Sequence, residues 1–421
     1  MKLLVISSAP VVELDGKLHL YAPYEKEMQL WAKHADTIQF CCPIWREDKK
    51  LLIAPVSFEV EKVVELQEFD ITSFSNKLKA IPLALVALVK IFKAMKQADH
   101  IHLRCPGNIA LLACFVQILL SNKQKTAKYA GNWDPRAKQP ITYKLQRWIL
   151  SNTFLTKNMQ VLVYGDWDNQ TKNIKPFFTA TYSESEVRGT KYEVRSEDEE
   201  MGRRGDGETR RLGDGETRRQ GDKETRRQGD EEMGRRGDEE SRSFRDGVKF
   251  LFVGTLSRGK QPLYAIQLVQ ELYEKGKKVT LELYGEGVLR KDLEYYIAQN
   301  NLETIVSLKG NQSKEAVLKA YQTSHFLILP SKSEGWPKVV AEAMFWGCVP
   351  IVSKVSCVPY MLDYGERGIL LQENLDTDVS QINSLLLNDV SYQKMTHEGE
   401  DWSRQFTMDK FEAEIKKLLR E

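Results

Sequence analysis

Residues 330–353 read PSKSEGWPKVVAEAMFWGCVPIVS, and their punctuation decides the fold. The apolar run HFLILP (325–330) is a buried strand that ends at Pro330, and a short polar loop, Ser331 to Gly335, follows it. Pro337 suits the first position of a helix, where a missing N–H is no loss. VVAEAMFW continues as helix, Gly347 stands where a left-handed C-terminal stop is wanted, and Pro350 precedes the new strand IVS. The loop sets Glu334 beside the free N–H groups of a helix N-terminus, a ready anion site. Glu342 lies eight residues on, along that helix. An idle charge inside so apolar a helix would be expensive, so both acids are read as facing one pocket.

The same alternation extends outward. In the second half VKFLFVG (248–254) is a strand, LYAIQLVQELYEKG a helix, VTLELYGEG strand and turn, VLRKDLEYYIAQNN a helix, IVSLKG a strand and KEAVLKAYQTS a helix. WSRQFTMDKFEAEIKKLL is an amphipathic helical ending. In the first half KLLVIS is a strand and APVVELDGKLHLYAP a loop. YEKEMQLWAKHA is a helix with Met28, Leu30, Trp31 and Ala35 on its inner side. TIQFCCPIW and VSFEV are strands, and Asn76 to Ala98 is a helix. HIHLR, KTAKYAGNW and VLVYG are strands separated by the helices PGNIALLACFVQILLSN and ITYKLQRWILSNTFLTKN, and FFTATYS closes the half. Strands alternating with helices predict doubly wound parallel sheets, and 421 residues predict two domains.

Between the halves the composition breaks. Residues 197–240 repeat GDGETRRL, GDGETRRQ, GDKETRRQ, GDEEMGRR and GDEE, with glycines 205, 213, 221, 229 and 237 in register. The segment holds 16 acidic and 11 basic residues and almost nothing apolar, so burial cannot offset the entropy of ordering it. It reads as a disordered insertion whose deletion leaves activity intact. The organisation is then a first domain at 1–183, a linker at 184–247, a second domain at 248–400 and a terminal helix at 401–421.

Bulk properties exclude other classes. A net charge of +2 says nothing about nucleic acid by itself, but in the repeat the acids outnumber the Arg pairs, which argues against nucleic acid as a partner. The six cysteines (41, 42, 105, 114, 348, 357) form no C-x-x-C and sit mostly in apolar runs, as expected of buried thiols in a cytoplasmic protein. The longest apolar runs, 81–89 and 109–120, fall short of the roughly 18–20 residues that span a bilayer. MKLLVISSAP has too short an apolar core for a signal peptide and reads as the first strand.

The pair Glu334-x7-Glu342, with Gly335 after the first acid and the exit GCVPIVS, resembles the donor-site signature of retaining glycosyltransferases of family four. The resemblance implies an α/β fold of the GT-B class, two Rossmann-like doubly wound domains facing a central cleft, with the terminal helix crossing back to the first domain. It implies transfer of a sugar from a nucleotide-diphosphate sugar to an acceptor hydroxyl with retention, in polysaccharide or glycolipid assembly, with no metal and no cofactor beyond the nucleotide sugar itself. Glu334 is implied to position the transferred sugar and Glu342 the ribose, with Gly335, Trp336 and Pro337 framing the donor. The loop VGTLSRGKQP puts Lys260 where the family has a diphosphate-binding Lys, whereas Thr255 stands where an Arg is usual and Arg258 is the candidate substitute. A departing diphosphate develops negative charge that cations and helix N–H groups must stabilise. YGEG (284–287) resembles the family's strand-end Gly-x-Gly.

On the acceptor side the resemblance is weaker. HIHLR supplies His102 at the first position of the family's Ile-His-x-His, but Arg104 replaces the second His. Arg104 is a candidate phosphate ligand. Asn132, Trp133 and Asp134 close another strand on the same sheet edge, and an aromatic beside hydrogen-bonding groups suits a pyranose face. From Lys123 to Lys157 there are eight basic residues and one acid, interleaved with aromatics, and lysines 77, 79, 90, 93 and 96 flank the 81–92 apolar run. That pattern suits an anionic membrane surface or a lipid-linked acceptor, and places the protein at the inner face of the plasma membrane. Thr255 and Arg104 leave one alternative open, a catalytically impaired nucleotide-sugar-binding or scaffold protein.

Overall fold

The computed structural model describes residues 1–47, 49, 51–69, 74–186 and 244–420, so the repeat at 197–240 lies outside the described residues. In the first half the strands are β1 (Lys2–Ser7), β2 (Val11–Leu14), β3 (Lys17–Tyr21), β4 (Thr37–Cys42), β5 (Ile44–Trp45), β6 (Ile53–Pro55), β7 (Val60–Glu65), β8 (His100–Cys105), β9 (Gln124–Tyr129), β10 (Met159–Tyr164) and β11 (Ile174–Phe177). Seven form one sheet in the order β11-β10-β9-β8-β1-β4-β7, with every neighbour parallel. Such a sheet is buried on both faces, which is why KLLVIS is continuously apolar rather than alternating. Leu4, Ile6, Ile101 and Leu103 pack against a layer made of α2 (Phe74–Gln97), α3 (Asn108–Val116) and α4 (Ile141–Leu150). Leu3 and Val5, on the opposite face, join Met28 and Trp31 of α1 (Ala22–Ala32).

The second half repeats the plan with β12 (Val248–Val253), β13 (Val279–Tyr284), β14 (Val306–Gly310), β15 (Phe326–Leu329), β16 (Val349–Ser353) and β17 (Ile369–Leu371). Their order is β14-β13-β12-β15-β16-β17, again all parallel. The Met408–Arg420 helix docks on the first domain: Met408 N donates to Tyr182 O at 2.9 Å, and Glu412 pairs with Lys33 at 2.8 Å and His34 at 3.1 Å. Phe411 packs on Phe177 and Phe178. No helix among the described residues is long and apolar enough to cross a membrane. All six cysteines are free and buried, and burial pushes the thiols of Cys41, Cys42 and Cys357 up to about 12.

Four sequence expectations are corrected. APVVELDGKLHLYAP is a hairpin rather than a loop: β2 and β3 pair antiparallel around Asp15 (φ 50°) and Gly16 (φ 71°), the positive-φ pair that a two-residue turn needs. The hairpin joins β5 and β6 in a small second sheet, so TIQFCCPIW breaks at Pro43 and feeds two different sheets. The strand expected at VSFEV lies later, at Val60–Glu65. The helix expected over 141–158 stops at Leu150, where the Asn152 side chain accepts from the N–H groups of Phe154 and Leu155 and competes with helical pairing.

Candidate active site

The carboxyl ends of the two sheets meet around the loop that follows β15. Lys338–Phe345 forms the helix, one residue later than Pro337 at its first position would give, and Pro337 is the capping residue. No side chain caps that N-terminus, so its leading N–H groups stay available to an anion. Gly347 closes the helix at φ 69°. Gly335 is pressed against the first domain: a Cβ there would lie 2.9 Å from the Ala130 carbonyl and 3.6 Å from the Tyr164 ring. Any larger residue would push the domains apart at this point. The Gly335 carbonyl accepts from Ser356 Oγ and Cys357 Sγ, both at 3.1 Å, which fixes the loop from below.

Glu334 forms an ion pair with Lys260, reached from the β12 loop, and its side chain is 9% exposed. The glycines of YGEG explain how that loop is held. A Cβ on Gly285 would fall 2.0 Å from the Gly254 carbonyl, and one on Gly287 2.3 Å from that of Leu256, so the two strand-end loops lie backbone to backbone. Leu256 N donates to Glu286 O at 3.0 Å across the contact. Arg258 is exposed and makes no ion pair among the described residues, so beside Lys260 it is an unengaged cation at the same loop. Ser331 Oγ, at the start of the Glu334 loop, is buried without a hydrogen-bond partner among the described residues.

Glu342 is held from two sides. Thr181 Oγ1 donates to one oxygen at 2.7 Å and Tyr321 O–H to the other at 3.2 Å. Lys338, one turn earlier, shares a small cavity with Glu342 and residues 179–182. Burial lowers the Lys338 ammonium, while Glu27 and Glu342 draw it back up. A cation at the start of a helix opposes the dipole, so its presence marks a place where anions are expected.

Trp336 departs from the expected donor contact. It is buried, with its ring tilted 5.8 Å from Tyr164, stacked on Trp402 at 6.1 Å and edge-on to Phe406 at 5.9 Å. It wedges the domains together rather than lining the pocket.

In the first domain the side chains of β8 sort by face. His102 is fully buried under Trp31, 4.2 Å away, with Nδ1 bonded to Thr126 Oγ1 at 2.9 Å and Nε2 without a partner among the described residues. Burial holds its pKa well below the ordinary histidine value, so it is neutral. Arg104, two residues nearer the cleft, donates to Glu27 at 2.7 Å and lies over Tyr24. Lys128 of β9 reaches the other Glu27 oxygen at 3.0 Å and faces the rings of Phe411, Tyr164 and Phe177. Burial alone would raise the Glu27 carboxyl, but Arg104 and Lys128 override it and hold Glu27 well below the carboxylate range. Burial lowers Lys128 to about 8. The cluster is thus two cations on one anion at the domain seam.

The loop after β9 is also more structural than expected. Trp133 is 2% exposed, edge-on to Tyr129 at 4.9 Å, with Nε1 donating to Gln170 at 3.1 Å. Asn132 Oδ1 accepts from Asp134 N, and Asp134 Oδ1 from Arg136 N, so both side chains brace their own turn. The fold thus brings Lys260 to Glu334 and sets Glu342 on the adjoining helix, while Arg104 is held by Glu27 at the seam and His102, Trp133 and Trp336 are buried in packing. Sequence reasoning passed over Glu27, Lys128, Lys338, Thr181 and Tyr321. Lys128 carried a signal, since a charge within a buried strand demands a partner. Thr181 and Tyr321 carried none.

Residues 236–402 match the family model for glycosyl transferases group 1. An uncharacterized glycosyltransferase of Methanocaldococcus jannaschii is 27% identical over 41% of this chain and 47% of its own length. The alpha-D-kanosaminyltransferase of Streptomyces kanamyceticus is 26% identical over 33% and 36%. The UDP-Gal:alpha-D-GlcNAc-diphosphoundecaprenol alpha-1,3-galactosyltransferase of Escherichia coli is 32% identical over 34% and 36%. The chain thus spans about half or less of the curated relatives it matches. Among solved structures, Anabaena Alr3699/HepE in complex with UDP superposes over 100% of both chains with a TM-score of 0.61 at 13% identity. Sucrose-phosphate synthase of Thermosynechococcus elongatus covers 100% of this chain and 98% of its own, with a TM-score of 0.55 at 16% identity. At such identities the likeness establishes the fold, which is GT-B.

Proposed function

We propose that this GT-B chain, with a group 1 glycosyltransferase match over residues 236–402, is a retaining, metal-independent glycosyltransferase. It moves a sugar from a nucleotide-diphosphate sugar to an acceptor hydroxyl in polysaccharide or glycolipid assembly. The observation that carries the reading is the Lys260–Glu334 ion pair beside an uncapped helix N-terminus, with Glu342 on the same helix.

In the proposed reaction the diphosphate enters at Lys260 and the free N–H groups of the 338–345 helix. Lys260 exchanges Glu334 for phosphate oxygens, and Arg258 swings in as the second cation that Thr255 does not provide. Freed from Lys260, Glu334 takes the hydroxyls of the transferred sugar. Glu342, kept in place by Thr181 and Tyr321, accepts hydrogen bonds from the ribose hydroxyls through its remaining lone pairs. The glycosidic C–O bond to the diphosphate breaks, and the acceptor oxygen attacks from the same face. The departing phosphate accepts the acceptor's proton, which balances the step without a protein base. Closure of the domains about Gly335 excludes water. The acceptor is proposed to be lipid-linked or a saccharide, by likeness to the Escherichia coli relative and to a GDP-mannose:cellobiosyl-diphosphopolyprenol alpha-mannosyltransferase of Xanthomonas oryzae.

The membrane contact is proposed on the α2–α3–α4 layer. The three helices contain no Asp or Glu, and their outer surface exposes Ile81, Leu85, Val86, Val89, Phe92 and Trp148 beside Lys90, Lys93 and Lys96. An apolar strip flanked only by cations suits the inner, anionic face of the plasma membrane.

One observation favours a second reading. Arg104 is already neutralised by Glu27 and Thr255 provides no cation, as in a protein that binds nucleotide sugars without turnover. A donor panel separates the two. Release of nucleoside diphosphate that Lys260→Ala abolishes supports the enzyme, and donor binding without release supports the binding protein.

A further inference from the structure

A second concavity lies away from the cleft, on the sheet edge where β8, β9, β10 and β11 begin. It measures about 580 Å³. Its walls include Lys125, Lys157, Lys172 and Lys175, with hydroxyls from Ser121 and Thr153, and no carboxylate among the described residues.

The bland account is that lysines gather here to complement helix C-termini, whose carbonyls end on this edge. Two of them do so. Lys125 Nζ donates to Leu120 O at 2.8 Å, and neighbouring Lys123 Nζ to Ala98 O at 2.6 Å. Asn173 takes the Leu150 carbonyl at 2.8 Å. These helix ends are therefore already satisfied by other groups. Lys157, Lys172 and Lys175 are exposed and make no ion pair among the described residues. Lys157 lies 5.4 Å over the exposed Phe154 ring, a contact that leaves its charge unneutralised, and three such ammonium groups around one polar concavity concentrate positive potential.

We propose that this cavity binds a phosphate-bearing ligand, at a site separate from the donor diphosphate site and independent of the glycosyltransferase reading. A compact multivalent anion lets several ammonium groups donate at once, which a monovalent one does not. The phosphate has two sources, a soluble phosphate ester or a lipid headgroup. Phe154 and Leu119, exposed close to Thr153 and Ser121 in sequence, give the rim an apolar flank that suits the second. Leu418 forms one wall, so the ligand also touches the helix that docks on the first domain.

The test uses the full chain as wild type, Lys260→Ala, and the triple variant Lys157→Gln/Lys172→Gln/Lys175→Gln, each checked for an unchanged circular dichroism spectrum. Inorganic pyrophosphate is titrated against thermal unfolding, and phosphatidylglycerol vesicles are compared with phosphatidylcholine vesicles by co-sedimentation. For a soluble source, the pyrophosphate stabilisation persists in Lys260→Ala, and its apparent affinity falls by roughly ten-fold or more in the triple variant. For a headgroup, phosphatidylglycerol binding falls by roughly ten-fold or more in the triple variant. A triple variant that equals wild type in both assays overturns the proposal, as does pyrophosphate stabilisation that vanishes only in Lys260→Ala with vesicle binding unchanged.

Discussion

The Glu342 carboxylate accepts a hydrogen bond from the Thr181 hydroxyl at 2.7 Å, which ties the segment leaving the first domain to the helix that carries the second acid. Tyr321 holds the other oxygen, so Glu342 is oriented before any donor arrives. Removing one of these donors is worth about 1–2 kcal/mol of positioning. Thr181→Val is therefore expected to raise the donor KM roughly five- to thirty-fold with little change in kcat. Steady-state release of nucleoside diphosphate checks it, and an unchanged KM would make the contact incidental.

Glu27 neutralises two buried cations, Arg104 and Lys128. Glu27→Gln strands both, and loss of one partner from a buried ion pair typically costs about 3–5 kcal/mol. Lys128→Met leaves a balanced Arg104–Glu27 pair and should cost less. Urea unfolding of the two variants gives the order, and equal or reversed losses would contradict the charge accounting.

Much of this was readable in the chain. The 330–353 punctuation and the strand–helix alternation led to two parallel sheets, because period and turn chemistry act locally. Glu334, Lys260 and Glu342 could be grouped because strand ends and a helix N-terminus fix where such residues lie. The hairpin at Asp15–Gly16 was legible too, but its polar flanks disguised a strand pair. What sequence cannot give is which way a side chain turns at a crowded seam. Trp133 and Trp336 each look like a sugar platform, yet packing on Tyr129 and on Trp402 buries them. His102 lies under Trp31, whose position depends on a helix about seventy residues earlier in the chain.

Burial holds His100 at about 4, and lowers His102 as well. In the unfolded chain both return to about 6.5. The unfolded state thus binds more protons between those values, and stability falls as pH drops from about 6.5 toward 4. For His100 alone the loss approaches about 3 kcal/mol at the acid end. Denaturant unfolding at pH 7 and pH 5 is expected to show this slope, and His100→Gln to flatten it. A slope that His100→Gln leaves untouched would assign it to other groups.

The outer face of α2 carries Lys90, Lys93 and Lys96 beside exposed Leu85 and Val89. Each lysine near an anionic bilayer is worth about 1 kcal/mol. Lys90→Glu/Lys93→Glu/Lys96→Glu should weaken binding to phosphatidylglycerol vesicles by roughly a hundred-fold or more, and wild-type binding should weaken with added salt. Salt-independent sedimentation, or none, would rule out this face as the contact.

The most direct measurement is nucleoside diphosphate release from a panel of nucleotide sugars by wild type and Glu334→Gln. The variant keeps the shape of the loop but removes the carboxylate that Lys260 holds in place. The account predicts turnover of at least one donor by wild type and a loss of about 10²–10³ in kcat for Glu334→Gln, the scale of one lost transition-state contact. Turnover that survives Glu334→Gln undiminished would contradict it.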